Sequence, residues 1–505
     1  MIITKEALHA LPPSRILGVR RGIEKESLRV QASGSLALTP HPLALGSALT
    51  HPHITTDFSE SQVELITGVH AGVQSCIDEL QEIHQFTEGA LNDEMLWVSS
   101  MPCCLPADDA IPIGRYGVSN VGRAKSVYRT GLGYRYGRRM QTISGIHYNW
   151  SLPDVSSESY FGLIRNFRRY AFLLLYLFGA SPAVCSSFVA GRQHQLQSLG
   201  KDSMYLPYAT SLRMGRLGYQ SDAQASLAVS YNGLQGYGDS LHSALTLPYP
   251  AYEAIGVQGT DGEYRQLATS LLQIENEFYG TIRPKRVIHA GERPLHALRE
   301  RGVEYVEVRL MDLNPFEPLG ISAQTMRFLD VFLVYCLLSD SPPDTPAEIA
   351  AIAANQQRVA ERGREPGLQL QRGGSEISLA AWGNDLVQAM EPIALQFDTA
   401  HGATDYMVAL QAAKLGLAQP ETLPSARVVQ TIESEYGGSF VAFARAQSER
   451  TKNAMLEVPL PDSVRTRLEA QSATSIQEQQ DIEAADSMPF DVYLREYLSP
   501  ARLGV

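Results

Sequence analysis

The chain has 505 residues, 44% of them hydrophobic and 19% charged, a globular composition that excludes an intrinsically disordered protein. Lys and Arg number 42 against 54 Asp and Glu, and a net charge of −12 excludes a general binder of nucleic acid or anionic membrane, which needs a basic surface. The five cysteines, Cys76, Cys103, Cys104, Cys185 and Cys336, are scattered and form no Cys-x-x-Cys motif. That excludes a zinc framework or disulfide scaffold and points to a reducing cytoplasm.

In chain order, Met1-Ile2-Ile3-Thr4-Lys5-Glu6 carries an early acid and lacks the apolar run of a secretory signal. Residues 24–30 read as a strand in which Glu24, Glu26, Leu28 and Val30 share one face and Lys25, Ser27 and Arg29 the other. Glu24-Lys25-Glu26 fits a solvated edge strand as well as a ligand-bearing one. Asp57, Glu60 and Glu64 follow closely; Asp57 and Glu60 also suit a helix N-terminus, whereas Glu64 stands before Leu65-Ile66 in an apolar run. The basic, Gly-containing residues 129–139 are a candidate lid. In residues 145–152, Ile146, Tyr148, Trp150 and Leu152 alternate with His147, Asn149 and Ser151.

Residues 170–190 carry no charge and are long enough to span a bilayer. Gly179, Ser181, Pro182, Ser186 and Ser187 interrupt them, so a buried helix ending at Gly179-Ala180-Ser181-Pro182 is expected. In residues 303–310, Val306, Val308 and Leu310 face one way and Tyr305, Glu307 and Arg309 the other. A sheet packed on one face and wet on the other predicts α+β. From about Ser322 the pattern is mainly helical, and the turn chemistry at 362–367 and 372–375 sets a boundary between a core, 1–375, and a helical region, 376–505.

Convergence of these acids on one cavity would demand cations, and hard oxygen ligands favour Mg²⁺ or Mn²⁺, with His147 able to add a nitrogen. No P-loop and no Gly-x-Gly-x-x-Gly follows a strand, so a nucleotide must be held by metals and isolated basic side chains such as Arg123, Lys125, Arg129 or the run Ile282-Arg283-Pro284-Lys285-Arg286. Glu307 and Arg309 share a strand face; a simple ion pair and a role beside a transferring phosphoryl group both fit.

Taken together, Arg21-Gly22-Ile23-Glu24-Lys25-Glu26-Ser27-Leu28-Arg29-Val30, Leu49-Thr50-His51, Ile54-Thr55-Thr56-Asp57-Phe58 and Met140-Gln141-Thr142-Ile143-Ser144-Gly145-Ile146-His147-Tyr148-Asn149 resemble the glutamate–cysteine ligase family of the gamma-proteobacterial type. So do Leu206-Pro207-Tyr208-Ala209-Thr210-Ser211-Leu212-Arg213, Gln273-Ile274-Glu275-Asn276-Glu277, Glu304-Tyr305-Val306-Glu307-Val308-Arg309 and Asn314-Pro315-Phe316. The likeness runs in order and is strongest over residues 20–340.

The resemblance implies a glutamine-synthetase-like curved antiparallel sheet forming a funnel. It implies that ATP phosphorylates the glutamate γ-carboxylate and that the cysteine amine displaces phosphate to give γ-glutamylcysteine. Glu24, Glu26, Asp57, Glu64, His147 and Glu307 are then the shell for Mg²⁺, and Arg309 lies beside the transferred phosphoryl group. Arg213, Tyr128, Tyr219 and Tyr279 wall the cysteine pocket. A monomer acting on glutamate, cysteine and ATP is expected, with no nucleic-acid or membrane partner and no second fused ligase. The alternatives are a related carboxylate–amine ligase with another acceptor amine and, further off, a metal-dependent phosphohydrolase or nucleotide-binding regulator.

Overall fold

The alternating segments form strands in the structure, a computed structural model that describes residues 5–200, 202–218, 222–225, 227, 229–289 and 291–504. The strands are β1 (Arg20–Gln31), β2 (Ile54–Thr56), β3 (Gln62–Ile66), β4 (Glu94–Leu96), β5 (Ile146–Ser151), β6 (Ala183–Cys185), β7 (Gln197–Gly200), β8 (Ser203–Tyr205), β9 (Ile282–Lys285), β10 (Tyr305–Met311), β11 (Gln369–Arg372) and β12 (Ser375–Ser378). The main sheet has the order β2-β3-β1-β5-β10-β9, with β4 pairing to the end of β1. Its pairings are antiparallel. A smaller sheet, β6-β8-β7, and the hairpin β11-β12 stand apart.

One face of the main sheet is apolar. Ile23, Ile146, Tyr148, Val306 and Val308 are fully buried there, in one hydrophobic cluster with the helices Ser157–Phe178 and Ala323–Leu338. Each such Leu, Ile or Phe side chain contributes about 1.5–3 kcal/mol when buried. The helix Ser157–Phe178 begins where Ser156 accepts a hydrogen bond from the Ser159 amide and stops before Gly179, as its sequence punctuation requires. It is a core helix, and no helix among the described residues is long and apolar enough to cross a membrane.

A buried ion pair fastens the sheet to this layer. Arg21 Nη2 lies 2.9 Å from Asp330 Oδ2, with both side chains sealed from solvent, and the Tyr148 hydroxyl donates to Asp330 Oδ1 at 2.8 Å. Beyond Ala323 the chain is mainly helical, and the helices Leu379–His401 and Asp405–Ala418 share the same apolar core.

Two expectations need correction. Residues 129–139 are not a free lid loop: most belong to the helix Asn120–Tyr136, tied down by Arg135 against Glu277 at 2.9 Å with both side chains buried. The cysteines are not all scattered in space. The sulfurs of Cys103 and Cys104 lie 3.8 Å apart, and Cys185 belongs to the same apolar cluster, though all are free thiols.

Candidate active site

The opposite face of the main sheet gathers the acids. Residues paired across antiparallel strands point to the same side, so register decides which side chains meet. Glu24 pairs with His147 and Glu26 with Glu64, while Glu307 stands across from Asn149 on one side and Arg283 on the other. The segment Glu24-Lys25-Glu26 therefore lies in the middle of the sheet, and the edge-strand reading falls. Asp57, in the turn after β2, completes the group. Ligating atoms of Glu26, Asp57 and Glu64 lie within 4.8 Å of one another, as do those of Glu24, Glu64 and His147.

This half of the face is short of positive charge. Burial and then the neighbouring Asp57 push the Glu26 carboxyl up to about 8, against the pull of Arg213 and Arg309. Burial, Glu24, Asp57 and Glu26 together raise Glu64 well above the usual carboxylate range. Burial also opposes charge on Glu24, but its hydrogen bond with His147, 3.0 Å from Nδ1 to Oε2, together with the charges of His147 and Lys285, holds it low. His147 is kept below its ordinary pKa by burial and by Arg309. Its Nε2 and Glu26 Oε1 lie 3.5 Å apart, both buried without a hydrogen bond.

The other half is rich in cations. Glu307 Oε1 lies 3.4 Å from Lys285 Nζ, and its Oε2 lies 3.2 Å from Arg309 Nη1 and 3.8 Å from Arg283 Nη1. Burial opposes its charge, yet Lys285, Arg309, His147 and Arg283 hold it well below the usual range. Arg309 also approaches His147 Nδ1 at 3.3 Å, so it stands between the two halves. The result is one sheet face with carboxylates on β1 and β3 and cations on β9 and β10. It suits two negative reactants brought together with divalent cations.

The remaining expected residues lie around this face in different ways. Arg213, in the short turn Leu212–Met214, is fully buried; its Nη2 donates to the Arg309 carbonyl at 2.9 Å, and Nη1 lies 3.9 Å from Asp312. Tyr279 accepts a hydrogen bond from Gln141 at 2.7 Å and packs edge-on against Tyr136. Tyr128 lies on the helix Asn120–Tyr136 and lines, with Lys125 and Arg129, a cavity of about 330 Å³. Tyr219 lies outside the described residues. Glu60 is spent on loop amides, accepting from His41 and Arg115, and Glu304 pairs with Arg286 away from the cluster.

Asn149, given no role from sequence, donates to Glu24 Oε1 at 2.8 Å. Arg283 and Lys285, expected from sequence as cations for a nucleotide, bracket Glu307. The period-two spacing of Arg283 and Lys285 was the available signal, since in a strand it places both on one face.

Comparisons with known proteins bear on the chain as a whole. The profile of the family described as glutamate-cysteine ligase matches residues 8–359. The glutamate–cysteine ligase of Alcanivorax borkumensis is 47% identical, over 98% of this chain and 99% of its own. That of Azotobacter vinelandii is 50% identical, over 94% and 93%. Among solved structures, the glutamate–cysteine ligase of Francisella tularensis in complex with AMP superposes with a TM-score of 0.91 at 36% identity, covering 96% of this chain and 98% of that one. A bifunctional glutathione synthetase from Pasteurella multocida gives a TM-score of 0.70 at 26% identity, over 90% of this chain and 55% of that one. The chain, by its sequence along nearly its whole length and by its fold, belongs to the glutamate–cysteine ligase family.

Proposed function

We propose that the protein joins the γ-carboxylate of glutamate to the amino group of cysteine, using ATP and passing through γ-glutamyl phosphate. The observation that carries this is the division of one sheet face into a carboxylate half and a cationic half that meet at Glu307 and Arg309. A carboxylate resists attack by an amine until it carries a leaving group, and a phosphoryl group supplies one.

Glu24, Glu26, Asp57, Glu64, His147 and Glu307 are the residues that would hold Mg²⁺ or Mn²⁺. The fit rests on the mutual repulsion that raises Glu26 and Glu64, and on the unbonded Glu26 Oε1 and His147 Nε2, which a shared cation satisfies. Such ions neutralise phosphate and carboxylate charge when bound. Arg309, fixed by Glu307, presents its guanidinium to the charge that develops on the transferred phosphoryl group. Lys285, Arg309 and Arg283 favour the ionised form of Glu307, the form in which it would be a ligand. Arg213, with Tyr128, Tyr219 and Tyr279, forms the acceptor pocket, where a guanidinium fixes the cysteine carboxylate and so the direction of its amine. Residues 1–375 form the catalytic unit and 376–505 a helical part packed on it, and the protein works in the cytoplasm as a monomer.

The test is ADP release measured with glutamate, cysteine, ATP or the divalent ion omitted in turn. Full turnover requires all four, with cysteine the best acceptor among amines offered. Rapid ATP turnover without glutamate would overturn the reading.

A further inference from the structure

A second cavity lies among the helices and shares no lining residue with the acid cluster. It has a volume of about 600 Å³ and opens between the helices Ser157–Phe178, Ala323–Leu338, Pro346–Arg362 and Leu379–His401, beside the hairpin β11-β12. That is the size of a small-molecule site, which spans roughly 300–1,000 Å³. Its wall is aromatic: the ring centroids of Tyr170 and Tyr335 lie 5.7 Å apart, and those of Tyr170 and Trp382 lie 6.5 Å apart at nearly right angles.

All three of these side chains are incompletely satisfied. Trp382 Nε1, Tyr170 Oη and Tyr335 Oη are buried and make no hydrogen bond. A buried polar group left unmatched is destabilising, and an indole nitrogen can only donate. What Trp382 lacks is an acceptor. At the mouth, the Arg372 guanidinium lies over the Trp382 ring, 5.4 Å from its centroid, and is steadied by Asp385 at 2.9 Å. A guanidinium on a ring face directs its donors outward in its own plane, where a carboxylate can take two. The adjoining Gly373 and Gly374 have positive φ and nothing within 4 Å of where a Cβ would stand, so the turn leaves the mouth wide. A cation is disfavoured at the Trp382 face, because Arg372 already occupies it; of the two acids that line the cavity, Glu348 is engaged by Arg169 at 2.7 Å and Asp340 is exposed to solvent.

We propose that this cavity is a second ligand site, for a planar aromatic anion whose ring packs among Tyr170, Tyr335 and Trp382 and whose carboxylate meets Arg372. The site is independent of the ligase reading, since none of these residues belongs to the acid face.

Calorimetric titration of the full-length enzyme with indole-3-carboxylate, and with indole as its uncharged counterpart, tests it. Indole-3-carboxylate binds saturably at one site per chain. Ala351→Trp fills the cavity and weakens that binding at least about tenfold, while ligase turnover is retained. Arg372→Gln, at the rim where folding is not at stake, weakens the carboxylate about tenfold and indole by less than about twofold, as loss of a charge-assisted hydrogen bond requires. Absence of saturable binding up to millimolar probe, or equal binding by Ala351→Trp, overturns the site. Equal weakening of both probes by Arg372→Gln overturns its preference for an anion.

Discussion

Arg213 is clamped to the strand that carries Arg309, because its Nη2 donates to the Arg309 carbonyl at 2.9 Å. The space that lets it do so is supplied by Gly145, where an added Cβ would stand 2.1 Å from Arg213 Nη2 and 2.4 Å from Cζ. Arg213 and Arg309 are thus held in one frame.

Gly145→Ala should therefore behave as a mild form of Arg213→Ala. Truncating one side of a buried charge pair costs ~2–5 kcal/mol, or on the order of 30-fold or more in affinity. Arg213→Ala should raise the KM for cysteine by that order and leave the KM for ATP nearly unchanged; Gly145→Ala should do the same to a smaller extent. Steady-state kinetics with each substrate varied decides it, and equal changes in all three KM values remove Arg213 from the acceptor pocket.

Glu64 faces Glu26 across β1 and β3 and is raised by three neighbouring carboxylates in addition to burial. Glu64→Gln removes that repulsion, so without divalent ions the variant should melt no lower than the parent. With them it should need ~10–100-fold more Mg²⁺ for half-maximal turnover, the usual consequence of a lost ligand. Thermal melts and a Mg²⁺ titration together test this; an unchanged Mg²⁺ requirement rejects Glu64 as a ligand.

Asp330 holds Arg21 in a fully buried pair, with Tyr148 and Tyr406 beside it. Asp330→Ala leaves an uncompensated guanidinium in the core and should lose about 3–5 kcal/mol of stability. Urea unfolding measures it. A loss within about 0.5 kcal/mol, typical of surface substitutions, would show that the pair is solvated in solution.

His51 is buried, and its Nδ1 accepts the amides of His53 and Ile54 at 3.0 and 2.9 Å. Burial, with a smaller effect of His53, lowers its pKa from 6.5 to about 4. The folded state then binds fewer protons than the unfolded chain, so stability is full above the unfolded value and falls as pH drops from about 6.5 to about 4. His51→Asn keeps an acceptor but does not titrate. The urea midpoint of the variant should vary less with pH across that window, and parallel curves would refute the assignment.

The wet and dry faces of β5 and β10 are legible from sequence because each keeps its charged or polar residues on alternate positions. The helix ending at Gly179 is legible because Gly and Pro mark its stop. β1 is ambiguous for a physical reason: Lys25 lies between two acids, and only tertiary structure reveals that its ammonium is buried 3.3 Å from His84 on the helix Val73–Ala90. The meeting of Glu24 with Glu64 and His147 depends on register across strands distant in sequence, which local pattern does not encode. The gathering of Cys103, Cys104 and Cys185 escapes for the same reason.

The position of Lys25 also bears on how the chain finds its alignment while folding. A slip of β1 by one residue would reverse its faces, driving Glu24 and Glu26 against the helix Val73–Ala90 and swinging Lys25 out among the remaining acids. Two carboxylates would then enter an apolar layer without partners, at a cost of several kcal/mol each. Misaligned chains are thereby disfavoured before any substrate or ion arrives, and the acids act as a proofreading device for strand pairing.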